Sequence, residues 1–211
     1  MGIEPTLTFG TDGSCLRNPD GPTGWSYVCH DGRYSFGGRP SGTNQVGELM
    51  AILTVLRDFP EHPLEIQSDS AYAIGCSSTW KAGWQRAGYV RRTGPLANLD
   101  IIREIHRLID GRRDPVEFVK VKAHLRDETV HPLNVRADEL AGRGARAAAE
   151  RRAEFTEHGT WPLSADEPMP DASNGQAYQP ADRPGSPAVP TRASVQPTPR
   201  TPEPAETGLL F

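Results

Sequence analysis

The sequence predicts an α/β fold in which a mixed sheet of five strands is flanked by helices. Three short apolar runs come first and are separated by turn-forming residues, which indicates an antiparallel sheet of neighbouring strands. Two later apolar runs each follow a segment with helical periodicity, which indicates strands reached through helical crossovers. The resulting order β-β-β-α-β-α-α-β-α combines antiparallel and parallel pairing in one sheet with helices packed on it.

The predicted strands are short apolar runs bounded by Gly, Pro, Asp and Ser. Asp31-Gly32 between the second and third runs is a two-residue hairpin signal. The five runs span residues 7–11, 25–30, 34–37, 64–68 and 116–121.

The predicted helices carry apolar residues at helical spacing after a capping residue. Thr43 or Asn44 is suited to cap the first of them, which ends before Pro60. Ser70 and Asn98 precede the second and third. The four segments span residues 44–58, 70–74, 98–109 and 135–152.

The distribution of proline divides the chain into a folded domain and a tail. Of the 20 prolines, 11 lie within residues 160–211, where Pro, Ala, Ser, Thr and Gln dominate and apolar periodicity stops. Such a segment buries too little apolar surface to offset the entropy lost on ordering. We therefore expect a domain over residues 1–158 and a disordered Pro-rich tail over residues 159–211.

Charge and cysteine usage narrow the class of protein. The net charge of -4 gives no global sign of nucleic-acid binding, but residues 80–92 carry four cations and no acid, which indicates a local basic surface. Three cysteines without a CxxC pair argue against a disulfide framework and a zinc site, and favour a reduced, cytoplasmic compartment. No run approaches the ~18 apolar residues needed to span a bilayer, so no membrane association is expected.

Four carboxylates occupy positions that one rim of the sheet could gather. Asp12 ends the first predicted strand and Asp69 ends the fourth. Glu48 lies one turn into the first helix beside its apolar stripe, and Asp138 lies in the first turn of the last helix. Singly, each has an ordinary structural interpretation, because Asp-Gly pairs form turns and the helix dipole favours acids in a first turn.

Four motifs, in chain order, resemble ribonuclease HI over nearly the whole predicted domain. They are TDGSC, GELMAIL, SDSAY, and KAH followed by NVRADELA. The resemblance implies the ribonuclease H-like mixed five-stranded sheet and an endonuclease that cuts the RNA strand of RNA:DNA hybrids, leaving 5′-phosphate and 3′-hydroxyl ends. It also implies that Asp12, Glu48, Asp69 and Asp138 are catalytic and bind metal.

The chemistry of clustered carboxylates agrees with that implication. Four such groups repel one another and raise each other's pKa unless cations lie between them. Oxygen ligands without Cys or His suit Mg²⁺ or Mn²⁺. Two such ions about 4 Å apart clamp a phosphodiester, one activating the attacking water and the other stabilising the leaving 3′ oxygen.

The loop after the fifth strand carries the histidines. His124 matches the family histidine that orients the nucleophile or shuttles protons, which a His does near neutral pH. His131 is the weaker alternative for this role. The loop that carries both histidines is longer than in common bacterial forms. Asn134 is expected to have an auxiliary role at the substrate.

Small polar residues after the first strand and before the first helix match substrate positions of the family. Cys15 and Asn18 match positions near the RNA strand, and Thr43 matches a phosphate pocket. Asn44 and Gln45 match positions near the minor groove. The structural alternative for Thr43 is a helix cap, and both roles can coexist.

The segment STWKAGWQRAGYVRR, residues 78–92, resembles the basic handle of the bacterial enzymes. Trp80 and Trp84 would support a channel for the DNA strand, with Arg86 among the cations that neutralise phosphates. Packing of the handle on the domain explains Trp80 equally well.

The last residues of the tail suggest a partner. Leu209, Leu210 and Phe211 follow a Pro-rich tether and resemble the Leu-Phe peptides with which bacterial replication proteins bind the sliding clamp, although the preferred Gln is missing. A chance apolar terminus is the alternative. We expect a monomer whose principal partner is an RNA:DNA hybrid duplex.

Two other functions compete with the enzyme. A catalytically silent hybrid-binding protein is disfavoured because all four acids are intact. Another ribonuclease H-like nuclease is disfavoured by the handle-like insertion and the KAH loop.

Overall fold

The computed structural model describes residues 5–91, 94–122 and 131–160. A π-helical turn over Gly75–Thr79 connects two of the helices. The strands are β1 (Leu7–Cys15), β2 (Gly21–Cys29), β3 (Arg33–Gly42), β4 (Leu64–Ser68), β5 (Val116–Lys120) and β6 (Phe155–Thr160), and the helices are α1 (Asn44–Asp58), α2 (Ala71–Ile74), α3 (Lys81–Arg86), α4 (Leu99–Gly111) and α5 (Pro132–Arg151).

The strands form one mixed sheet in the order β5-β4-β1-β2-β3-β6. β1 pairs with β2, β2 with β3 and β3 with β6 in antiparallel fashion, whereas β4 runs parallel to both β1 and β5. The predicted α/β fold with a mixed sheet is therefore confirmed. The sheet has one strand more than predicted, because the polar run FTEHGT of β6 carries little apolar signal of its own and pairs along the edge of β3.

The sixth strand crosses the predicted domain boundary at residue 158. Its pairing with β3 extends to Thr160, opposite Arg33. The predicted disordered tail lies, from residue 161 onward, outside the described residues.

Apolar side chains pack on both faces of the sheet. On one face, α1 and α4 cover a core that includes Phe9, Tyr27 and Phe59, whose ring centroids lie 4.8–5.7 Å apart. On the other face, Leu140 and Ala137 of α5 pack against strands β2 and β3. The sheet is thus the middle layer between two helical layers. No helix in the described ranges is both long and apolar enough to cross a bilayer.

Two boundaries differ from the prediction in ways that matter for the carboxylates. β1 continues to Cys15 because Gly13 and Ser14 still pair with β2, so Asp12 lies within the strand. α5 begins at Pro132, whose fixed φ suits the first turn of a helix. Asp138 therefore lies in the second turn of α5 and not in the first.

Candidate active site

Asp12 and Asp69 lie where strands β1 and β4 separate. Their parallel pairing ends with Thr11 opposite Ser68, and each aspartate is the next residue of the chain. Asp12 is held in place by continued pairing with Ser26 of β2. The two aspartates consequently lie side by side just past the last parallel pair of β1 and β4.

Glu48 reaches this point because α1 approaches β1 unusually closely. A Cβ on Gly13 would lie 2.1 Å from the backbone nitrogen of Glu48, so a side chain at position 13 would push the helix away. Asp12, Glu48 and Asp69 each offer a carboxylate oxygen, and these three oxygens lie within 4.8 Å of one another. Only 5% of the Asp12 surface and 6% of the Glu48 surface is exposed.

Helix α5 brings Asp138 and Asn134 to the same place from the opposite face of β1. A Cβ on Gly10 would lie 2.3 Å from the carbonyl carbon of Leu133, so this strand also accepts the start of α5 at close range. One pocket is lined by Asp12, Asp69, Lys122, His131, Asn134, Val135 and Asp138. The Asp138 carboxyl is close enough to contribute, after burial and the charges of Glu48 and Asp69, to raising the pKa of Asp12. The structure therefore gathers all four predicted acids from β1, α1, the end of β4 and α5.

Burial and the charges of neighbouring acids favour protonation of Asp12 and Glu48 when no cation is bound. Burial, followed by the charges of Glu48 and Asp69, raises the pKa of Asp12 to about 10. Burial and the charge of Asp69 raise the pKa of Glu48 to about 8, while a hydrogen bond to Asp12 and the charge of Lys120 act in the opposite direction. A divalent cation would stabilise the ionised carboxylates and displace these protons.

Two buried oxygens at the site suit a cation. Glu48 Oε2 and Asn134 Oδ1 have no hydrogen-bond partner among the described residues. A buried acceptor without a donor costs about 1–3 kcal/mol, so a cation or its bound water would relieve both. Since every side chain of the carboxylate group is an oxygen donor, the set fits a hard ion such as Mg²⁺ or Mn²⁺.

The end of β5 and the residues just after it contribute two cations to the site that sequence reasoning missed. Lys122 lines the pocket, and the Lys120 ammonium donates to the backbone carbonyl of Asp69 and, at 3.0 Å, to that of Val121. The alternation of lysine with apolar residues in VKVKAH was the available signal. Lys120 thus ties the backbone of one carboxylate residue to the neighbouring strand.

The two predicted histidines have different outcomes. His124 lies outside the described residues. His131 lines the pocket, and its carbonyl accepts from the backbone N–H groups of Asn134 and Val135 at the start of α5.

The predicted RNA-side residues meet around the start of α1, one turn before Glu48. The Asn44 backbone N–H donates to Asn18 Oδ1 at 3.2 Å, and the Cys15 thiol lies 3.7 Å from the carbonyl oxygens of residues 21 and 42. The Thr43 hydroxyl accepts from the Val46 N–H at 3.2 Å, so its capping role is real. Asn44 and Gln45 are exposed.

The handle combines packed and exposed aromatic groups. Trp84 packs against the core, and its ring centroid lies 5.5 Å from that of Trp80. Trp80 is 41% exposed and also lies 6.3 Å from Tyr72, so it both packs and presents a surface. Arg86 at the end of α3 is exposed, whereas Lys81 is paired with Asp110.

The sequence and the fold both match known ribonucleases H. The RNase H family model matches residues 4–146. Ribonuclease H of Tropheryma whipplei is 36% identical over 146 residues, which are 68% of this chain and 86% of that protein. Ribonuclease HI of Caulobacter vibrioides is 36% identical over 156 residues, or 71% and 99% of the two chains. The crystal structure of LC9-RNase H1, a type 1 RNase H with the type 2 active-site motif, covers 88% of this chain and 100% of its own at a TM-score of 0.56 and 20% identity, a likeness of fold.

Proposed function

This chain belongs to the ribonuclease H family, and on that basis we propose that it hydrolyses the RNA strand of RNA:DNA hybrids at Asp12, Glu48, Asp69 and Asp138. The observation that carries the assignment is the convergence of these acids from four separate elements around Asp12. Their donor set and the two unpartnered buried oxygens support two divalent ions, Mg²⁺ or Mn²⁺, at this point.

Asp12, Asp69 and Glu48 differ in the contacts that their side chains or backbones make. The Gly13 N–H donates to Asp12 Oδ1 at 2.8 Å, which leaves the second oxygen of Asp12 for the other acids or a cation. Lys120 holds the backbone of Asp69, and one oxygen of Glu48 has no hydrogen-bond partner within the described part of the chain. Asp12, Glu48, Asp69 and Asp138 would hold two such ions, which would supply an activated water and stabilise the leaving 3′ oxygen, giving 5′-phosphate and 3′-hydroxyl ends.

Proton handling is assigned to His124, with His131 as the competitor. A histidine near the phosphodiester takes or returns a proton at neutral pH. The position of His131 in the pocket supports His131 as the proton carrier. The match of His124 to the family histidine supports His124. Comparing the kcat of His124→Ala with that of His131→Ala decides between them, and the larger loss identifies the proton carrier.

Substrate binding is assigned to two surfaces. The polar surface around the start of α1 is suited to the RNA strand and the minor groove through Cys15, Asn18, Thr43, Asn44 and Gln45. The exposed face of the handle is suited to the DNA strand through Trp80, Trp84 and Arg86. An enzyme that reads 2′-hydroxyls and backbone shape needs no base-specific contact, which suits such small polar groups.

A cleavage assay tests the function. We expect a labelled RNA:DNA hybrid to lose its RNA strand with Mg²⁺ or Mn²⁺ but not with EDTA, while single-stranded RNA and duplex DNA survive. Asp69→Asn should abolish cleavage, and Asp100→Asn, which changes an exposed acid in α4, should not. An intact RNA strand with both metals would contradict the proposal, and cleavage by Asp69→Asn would contradict the site.

We also propose a cellular compartment, an oligomeric state and a protein partner for the enzyme. Cys29 and Cys76 are buried free thiols, which supports a reduced, cytoplasmic compartment, and we expect a monomer. Leu209, Leu210 and Phe211 lie outside the described residues and are proposed to bind a replication sliding clamp. Unchanged clamp binding after deletion of residues 207–211 would refute that contact.

A further inference from the structure

A buried histidine lies apart from the carboxylate group. His106 of α4 is 1% exposed, and its Nε2 lies 2.7 Å from the carbonyl oxygen of Cys76. Its Nδ1 lies 2.9 Å from the Tyr89 hydroxyl. Because a carbonyl only accepts, Nε2 carries the ring proton, and Nδ1 accepts from the hydroxyl of Tyr89. Both nitrogens of a neutral ring are therefore used.

These two bonds hold the backbone just before the handle and a residue near the other end of the handle. Cys76 belongs to the π-helical turn that leads into Trp80, and Tyr89 follows α3 near the other end of the handle. One side chain of α4 therefore anchors both ends of the segment that carries Trp80 and Trp84.

Tyr89 has a backbone conformation that needs such an anchor. Its φ of 62° lies in the left-handed region, where a bulky L-residue is strained. Its N–H donates to the Trp84 carbonyl at 2.8 Å, and the Arg103 guanidinium lies 4.9 Å from its ring centroid. The hydrogen bond from its hydroxyl to His106 adds a contact to α4.

The π-helical turn in turn seats Trp80. A Cβ on Gly75 would lie 2.6 Å from the Trp80 ring, so the indole lies directly on the backbone of this turn. The His106 bond to the Cys76 carbonyl holds that backbone one residue away. The direction of the exposed Trp80 face consequently depends on His106.

We propose that His106 is a positioning residue that orients Trp80 and Trp84 and thereby sets the affinity of the enzyme for its hybrid substrate. This rests on the proposed function, in which the handle contacts the DNA strand. His106 acts through the handle, whereas the carboxylates are carried by other elements: β1, α1, the end of β4 and α5. Its loss should therefore raise KM and leave kcat nearly unchanged.

Steady-state cleavage of the hybrid by the full chain and by five variants of it tests this. We expect His106→Ala to raise KM roughly ten-fold, the loss of about one base-stacking contact, with kcat changed less than about two-fold. His106→Gln keeps a donor for the Cys76 carbonyl and should lie between wild type and His106→Ala. Tyr89→Phe removes only the other bond and should raise KM less. In a Trp80→Ala background, His106→Ala should add little, because both changes act through the same aromatic pair.

His158→Ala is the matched control. His158 is also a largely buried histidine with a side-chain bond, at 2.9 Å to Asp58, but it lies on β6. It should lose stability without a change in KM. An unchanged KM in folded His106→Ala, a loss confined to kcat, or an equal KM change in His158→Ala would overturn the proposal. Failure of the wild type to cleave would instead overturn the proposed function.

Discussion

Replacing Asp12 with Asn should stabilise the metal-free protein at neutral pH while it abolishes cleavage. In the unfolded chain Asp12 has its ordinary pKa of 3.8 and is ionised at pH 7. In the folded chain its pKa is about 10, so folding forces a proton onto it. Between these two pKa values the folded chain binds one more proton at Asp12 than the unfolded chain does. The free energy of unfolding therefore falls as the pH rises from 3.8 toward 10.

The size of the effect follows from the interval between pH 3.8 and pH 7. At ~1.36 kcal/mol per pKa unit, forcing a proton onto Asp12 at pH 7 costs up to ~4 kcal/mol. Asparagine retains the acceptor for the Gly13 N–H and offers N–H donors to the neighbouring acids, without needing that proton. We therefore expect a gain of about 2–4 kcal/mol, which for a domain of this size raises Tm by roughly 5–15 °C.

Urea and thermal unfolding in EDTA at pH 7 and pH 4 measure this gain. The gain should shrink at pH 4, because that pH lies close to the ordinary pKa of 3.8 and placing a proton on Asp12 then costs little. Mg²⁺ should stabilise the wild type more than Asp12→Asn. Asp31→Asn is the control of opposite sign: burial opposes ionisation there, but hydrogen bonds from Arg33 outweigh it and lower the pKa of Asp31. A folded Asp12→Asn protein no more stable than wild type at pH 7, or equally favoured at both pH values, would refute the reasoning.

Three further changes test other parts of the structure. Gly10→Ala should lower the free energy of unfolding in urea by at least ~2 kcal/mol, because its Cβ would lie 2.3 Å from the Leu133 carbonyl carbon. In the control Gly83→Ala, the new Cβ meets no described atom within 4 Å, so this change should be neutral or stabilising. Equal losses in the two variants would contradict this. Lys122→Met should reduce the slope of log KM against log salt by about 1 if its ammonium meets a phosphate, and an unchanged slope would exclude that contact. His158→Ala should cost about 1–3 kcal/mol by removing its bond to Asp58 inside the domain, and no loss in thermal unfolding would show that β6 is held without it.

The local pattern of the chain was sufficient for most of the secondary structure. The spacing of apolar residues shows which face of an element is buried, and this spacing is a property of residues close together in the chain. Apolar and polar residues alternate over residues 64–68, and apolar residues recur with a 3.6-residue period over residues 44–58 and 99–109. Strand β6 was not predicted because FTEHGT has one large apolar residue. Its strand conformation comes from pairing with the edge of β3. The start of α5 was predicted too late in the chain because the pattern of apolar residues is weak in the first turn of this helix, where Pro132 sets the boundary.

The sequence by itself determined the family, the mixed α/β sheet and the identity of the four acids, because motifs in chain order and apolar periodicity are both local records. Only the tertiary structure decided how those acids meet: Gly10 and Gly13 admit α5 and α1 against opposite faces of β1 at contacts no single segment encodes. The same holds for Lys120 on the Asp69 carbonyl and for His106 between Cys76 and Tyr89. Burial and hydrogen bonding between residues far apart in the chain depend on the packed arrangement, so a lysine or histidine read alone does not reveal them.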